Sequence, residues 1–168
     1  MHDFPPLIAI LSHTPHWVWV LLALLLALGV SQSMPRQASA RRVTVLPALM
    51  LALSIGGVVS SFGVVPVTLI AWSAGLALAI VLGVERVAPK GARWVRDTAR
   101  FELPGSWLPM GLILGLFCIK YGVGVGLAIV PSLASNTPFE VGVAFAYGAF
   151  SGLFAARAIA LRRLAAQA

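Results

Sequence analysis

One side chain in this sequence is out of place by its chemistry. Lys120 stands 13 residues into the 24-residue apolar run from Trp107 to Val130. A run of that length can cross a bilayer, which takes about 20 mostly apolar residues, and Lys120 then falls near the midplane. A charge there costs about 3 kcal/mol or more, so it is expected to face protein, a partner or a water-filled cavity. The chemistry it offers is binding: a desolvated ammonium attracts an anion, a lipid headgroup or a proton acceptor. Tyr121 follows it directly, Gly124 thins the same helix face one turn on, and Tyr147 lies at a similar depth in the next apolar run. Lys120, Tyr121, Gly124 and Tyr147 are therefore the candidate ligand-binding residues, with hydroxyls from Ser54 or Ser73 as helpers. Glu140 begins the next run about 15 Å nearer the outer surface, too far for a comfortable ion pair. The alternative for Lys120 is a structural charge, hydrogen-bonded to carbonyls or reaching out to headgroups.

Other chemically capable residues form no constellation. His13 and His16 flank the entrance of the first apolar run as His-Thr-Pro-His, a weak metal signal because Pro15 interrupts one helical face. With no histidine inside an apolar run, haem ligation has no ligand, and no cofactor is expected. Cys118 is the single cysteine, so there is neither a disulfide framework nor a two-cysteine redox motif. It reads as a small filler between helices. Arg157 lies near the end of the last run and reads as a cation reaching the inner headgroups. No paired carboxylates, nucleophile–base pair or phosphate loop occur, and no enzymatic activity is expected.

The elements that position these residues follow from hydropathy. Hydrophobic residues make up 60% of the chain, charged residues 10%, and the mean hydropathy is +0.95. A soluble domain carries about 25% charged residues, so lipid is the natural solvent for this chain. Five runs qualify as spanning helices: 16–33, 43–62, 65–84, 107–130 and 139–161, with prolines at most boundaries. The expected fold is all-α, a single membrane domain over residues 1–168 forming a polytopic bundle of five spans. Short interfacial helices are expected over residues 4–12 and 91–101, the second placing Trp94, Val95 and Phe101 against Arg93, Arg96 and Arg100.

Charge sets the orientation. Segment 32–42 holds Arg36, Arg41 and Arg42; segment 85–106 holds Arg86, Lys90, Arg93, Arg96 and Arg100; the tail holds Arg162 and Arg163. The segments on the other side hold no lysine or arginine, which predicts the N-terminus outside and the C-terminus in the cytoplasm. The net charge of +7 is thus an orientation signal rather than a nucleic-acid footprint.

Packing between lipid-embedded helices relies on small residues spaced four apart. The fourth run has Gly111, Gly115, Cys118, Gly122 and Gly126; the fifth has Ala144, Gly148, Ser151, Gly152 and Ala155; the third has Ala71, Gly75 and Ala79. The simplest expectation is a tight hairpin of the fourth and fifth helices, stripe to stripe, with Cys118 in the seam and Lys120 on the far side.

The stretch from His13 through Thr14-Pro15-His16-Trp17-Val18-Trp19, the Leu/Ala-rich run after it, and Pro104-Gly105-Ser106-Trp107 followed by Lys120-Tyr121 resemble a family of small bacterial inner-membrane proteins. That family is a domain of unknown function, distantly similar to CcdC-like membrane proteins. The resemblance implies the same multi-helix inner-membrane bundle and brings no activity. Two functions are therefore expected in competition. One is a small transporter, channel or lipid-handling protein, oligomeric, with Lys120 at an anion or headgroup site. The other is an accessory subunit that binds another membrane protein through its small-residue faces. Membrane lipids are expected partners of both.

Overall fold

The computed structural model describes residue 12 and residues 14–167. Five long helices dominate it: α1 (His16–Ser33), α2 (Ala40–Phe62), α3 (Pro66–Gly83), α4 (Leu108–Ile129) and α5 (Thr137–Gln167). All five are long and apolar enough to cross a membrane. Local chemistry sets their ends. Ser39 caps α2 by accepting from the Arg42 N–H at 3.4 Å, and Asn136 Oδ1 accepts from the Phe139 N–H at 3.0 Å in the first turn of α5. Gly63 stops α2 at φ 77°, a conformation that costs glycine nothing. Pro66 and Pro109 occupy first turns, where a missing N–H has no partner to lose. A short 3-10 turn, Pro131–Ser135, joins α4 to α5. The interfacial segment expected at 4–12 lies, apart from residue 12, outside the described residues, as does His13.

Helix α5 is the most buried of the five and forms the axis of the bundle. At 31 residues it is about 46 Å long, well beyond the ~30 Å of a hydrocarbon core. Its close partner is α3, not α4. Carbonyl oxygens of one helix sit where the other would carry a Cβ: Phe145 O lies against Gly75, and Trp72 O against Gly148. One turn on, Leu76 O is 2.5 Å from the Cβ position of Gly152. Only glycine lets two backbones approach this closely, the device expected where lipid supplies no hydrophobic drive.

The expected α4–α5 hairpin is thereby corrected. Gly111 and Gly122 of α4 have nothing within 4 Å of a Cβ position, and Cys118 is exposed rather than seated in a seam. Within that stripe Gly115 is covered by the Phe150 ring and Gly126 meets Leu133 of the 3-10 turn at 3.6 Å. Both stripes were sound as surfaces of low bulk; bulk alone does not choose between two partners. Helix α1 lies outside α4, with Gly29 against Met110.

The larger surprise is a three-stranded antiparallel sheet, β1 (Arg36–Ser39), β2 (Arg93–Val95) and β3 (Arg100–Leu103), in the order β1-β3-β2. The helix expected over 91–101 is a β-hairpin instead. Phe101 and Leu103 are buried while Arg100 and Glu102 are exposed, an alternation of period two. Trp94 and Phe101 are seven residues apart, which suits one helix face, and they are also direct partners across β2 and β3. Their rings meet at 4.6 Å. Pairing with β1 decided the matter, and β1 is more than fifty residues away in sequence. The sheet closes over the end of α5 through Ala38, Phe101, Leu103 and Leu161. It gathers the three basic segments at one end of the bundle.

Candidate functional site

Lys120 is the 13th of 22 residues in α4, about 14 Å from the end of the helix at Ile129. Its residue is exposed in the isolated chain, yet its ammonium turns inward toward α2 and α5. Nζ lies 3.9 Å from the Cβ position of Gly57, and the Tyr147 ring lies 3.5 Å from the same point. Gly57 thus leaves the space into which both side chains reach. Lys120 and Tyr147, expected at similar depth, both reach this one point, where α2, α4 and α5 converge.

Tyr147 is only 1% exposed and is anchored by its backbone. Its carbonyl accepts from Ser54 Oγ at 3.0 Å, and Ser54 Oγ accepts from Trp72 Nε1 at 2.8 Å. This chain of bonds links α3, α2 and α5 at one level and satisfies two polar groups that lipid would leave unpaired. Ser54 is therefore committed to structure rather than to Lys120, and Ser73 is exposed. Around Tyr147 pack Val58, Ala71, Val123, Val143 and Ala144. The ammonium thus sits at the rim of an apolar core, and no carboxylate approaches it among the described residues.

Tyr121 and Gly124 are placed apart from this meeting point. The Tyr121 hydroxyl bonds Thr14 Oγ1 at 2.7 Å, and its ring stacks on Phe117 at 6.1 Å. It ties the segment before α1 to α4. Gly124 is exposed, with nothing within 4 Å of its Cβ position, so it opens the helix face without lining a site. His16 is exposed at the start of α1, and no group of three or more His, Cys, Asp or Glu gathers among the described residues.

Arg157 departs from expectation. Rather than reaching outward, it turns into a cavity at the basic end of the bundle, beside Arg36, Arg42 and Gln32. It is held there because α5 is central, so even its last turns face other elements. Nothing local in the sequence marks this cavity; Gln32 and Arg157 are 125 positions apart.

A family model described as "Family of unknown function (DUF6622)" matches residues 3–168. The chain belongs to that family. The DUF6622 match covers both the Lys120 site and the basic-end cavity, and so treats bundle and sheet as one unit. No curated protein and no solved structure matches the chain.

Proposed function

We propose that this DUF6622 protein is a small multi-pass protein of the bacterial inner membrane that handles an anionic ligand at Lys120, as a transporter, channel or lipid-handling protein. Its N-terminus lies outside and its C-terminus in the cytoplasm, an orientation supported by the basic segments that the sheet gathers at one end. One observation carries the reading: the Lys120 ammonium, mid-helix and without a carboxylate neighbour among the described residues, enters the space left by Gly57 beside a buried tyrosine. A charge at that depth calls for a counter-ion or a water-filled path.

The test is native mass spectrometry of the protein in mild detergent, wild type beside Lys120→Met. A bound anion or lipid present in the wild type and absent from the variant supports the reading. Identical spectra, with a folded variant and no ligand in either, overturn it.

A second reading is favoured by the bare side of α4, where Gly111 and Gly122 have open space before them. An accessory subunit, or one copy in a homo-oligomer, would seat a neighbouring helix there. Under that reading Gly122→Leu abolishes association, measured by cross-linking in membranes, while Lys120→Met leaves it intact.

A further inference from the structure

At the basic end, the last turn of α1, strand β1, the first turns of α2 and the later turns of α5 converge on a half-open cavity of about 40 Å³. That is room for about three waters, at roughly 10–15 Å³ each. Its polar wall is made of Gln32, Arg36, Arg42 and Arg157, and none of its lining residues is a carboxylate. It lies well away from Lys120, which is 11 residues and about 17 Å further along α4 than the lining residue Pro109.

Gln32 is the informative residue. It is 5% exposed, and its Oε1 accepts from Arg36 Nη2 at 3.1 Å. A guanidinium has no acceptor to offer, so the amide oxygen must face it and the amide nitrogen must point elsewhere. That nitrogen, Nε2, is buried and has no hydrogen-bond partner among the described residues. A buried donor left unpaired is costly, and native proteins keep few of them.

The charges tell the same story. Burial, with Arg42 beside it, holds the Arg36 guanidinium below its usual pKa. Arg36 and Arg157 line the same cavity, like charges with no carboxylate among the lining residues. Arg157 finds only a weak acceptor, Val87 O at 3.4 Å. Arg42 stands in the first turn of α2, where the helix dipole disfavours a cation and favours an anion. The wall thus gathers three guanidinium groups and one unpaired amide N–H, with the Gln32 Oε1 bonded to Arg36 as its one side-chain acceptor.

We propose that this cavity binds a phosphate-type oxyanion, held by Gln32 Nε2 and the guanidinium groups of Arg36, Arg42 and Arg157. Arginine forks match tetrahedral oxyanions in bidentate fashion, and the amide supplies a further N–H. Val43, Leu46 and Phe154 line the apolar remainder of the cavity, a shoulder suited to the glycerol and first methylenes of a phospholipid. The phosphate can therefore belong to a lipid headgroup or arrive free from solution. This site does not depend on the reading of Lys120.

The experiment measures thermal unfolding of the full chain by tryptophan fluorescence. One arm adds inorganic phosphate in mild detergent, against chloride at equal ionic strength. The other compares nanodiscs of pure phosphatidylcholine with nanodiscs containing phosphatidylglycerol. A saturable rise of about 3 °C or more in either arm is expected, and the arm that responds names the source. Gln32→Glu preserves the bond to Arg36 and puts a carboxylate where the anion would sit. It is expected to melt higher than wild type without ligand and to lose the response to added anion. Arg157→Gln is expected to weaken half-saturation at least tenfold, whereas Arg163→Gln, in the exposed tail, leaves it unchanged. No response of the wild type in either arm overturns the proposal. So does an equal response in wild type, Gln32→Glu and Arg157→Gln.

Discussion

Helices α4 and α5 both carry small residues four apart, and the structure treats them in opposite ways. On α5, Gly148 and Gly152 are pressed against carbonyls of α3; on α4, Gly111 and Gly122 face open space. The difference lies in the partner. Helix α3 answers with Ala71, Gly75 and Ala79, so two thin surfaces meet and their backbones come close along two turns. Helix α4 meets bulk instead: Phe150 fills the space over Gly115, and Met110 meets Gly29 of α1. A small-residue stripe states that a helix can be approached closely. Which helix approaches depends on a second stripe at matching depth.

Added bulk separates the two helices most clearly. Gly148→Val forces a side chain into the Trp72 carbonyl and should destabilise the protein by about 3 kcal/mol or more, because backbone cannot move aside as a side chain can. Gly122→Val, with nothing within 4 Å, should stay within about 0.5 kcal/mol of wild type for the isolated chain. Thermal unfolding in detergent reads both. Equal losses would mean that α4 is as closely packed as α5 and would remove the contrast.

A smaller effect sharpens the α3–α5 side. Ser54→Ala removes the acceptor of Trp72 Nε1 and the donor to Tyr147 O. Two bonds in an apolar bundle are worth about 1 kcal/mol together, so the melting point should fall by a few degrees while the fold persists. Tryptophan emission should change as well, since one indole loses its partner. Smallest is Ser151→Ala. The Ser151 hydroxyl is buried in α5 without a partner among the described residues, so its removal should be neutral or stabilising by up to about 1 kcal/mol. A loss larger than that would reveal a bond that Ser151 makes in the membrane.

Much of this was legible from residue types. The five helices follow from runs of about 20 apolar residues, because a backbone in lipid has almost no alternative to bonding itself. α1 spans the residues expected, 16–33, and the other four differ by a few residues at their ends, most at α5, whose tail is held by Leu161 and Ala165 beneath the sheet. Lys120 and Tyr147 were legible for a related reason. A lysine in an apolar run has few places to go, and depth along a helix is simple arithmetic at 1.5 Å per residue. Tyr121 was not separable from them by depth. Its direction, toward Thr14 rather than Gly57, depends on where α1 lies.

Residue types alone set the inventory: five apolar helices, one lysine in the middle of one of them, and ten further lysines and arginines confined to one set of connecting and terminal segments. These are properties of single segments in a given solvent, and neighbours do not alter them. Every relation between segments arose in the folded bundle. The choice of α3 over α4 as the partner of α5 belongs here, as does the conversion of an amphipathic basic stretch into strands by β1. So does the cavity in which Gln32, Arg36, Arg42 and Arg157 meet. Such relations depend on the fit of two surfaces and on charges brought together from distant positions, and no local pattern carries that information.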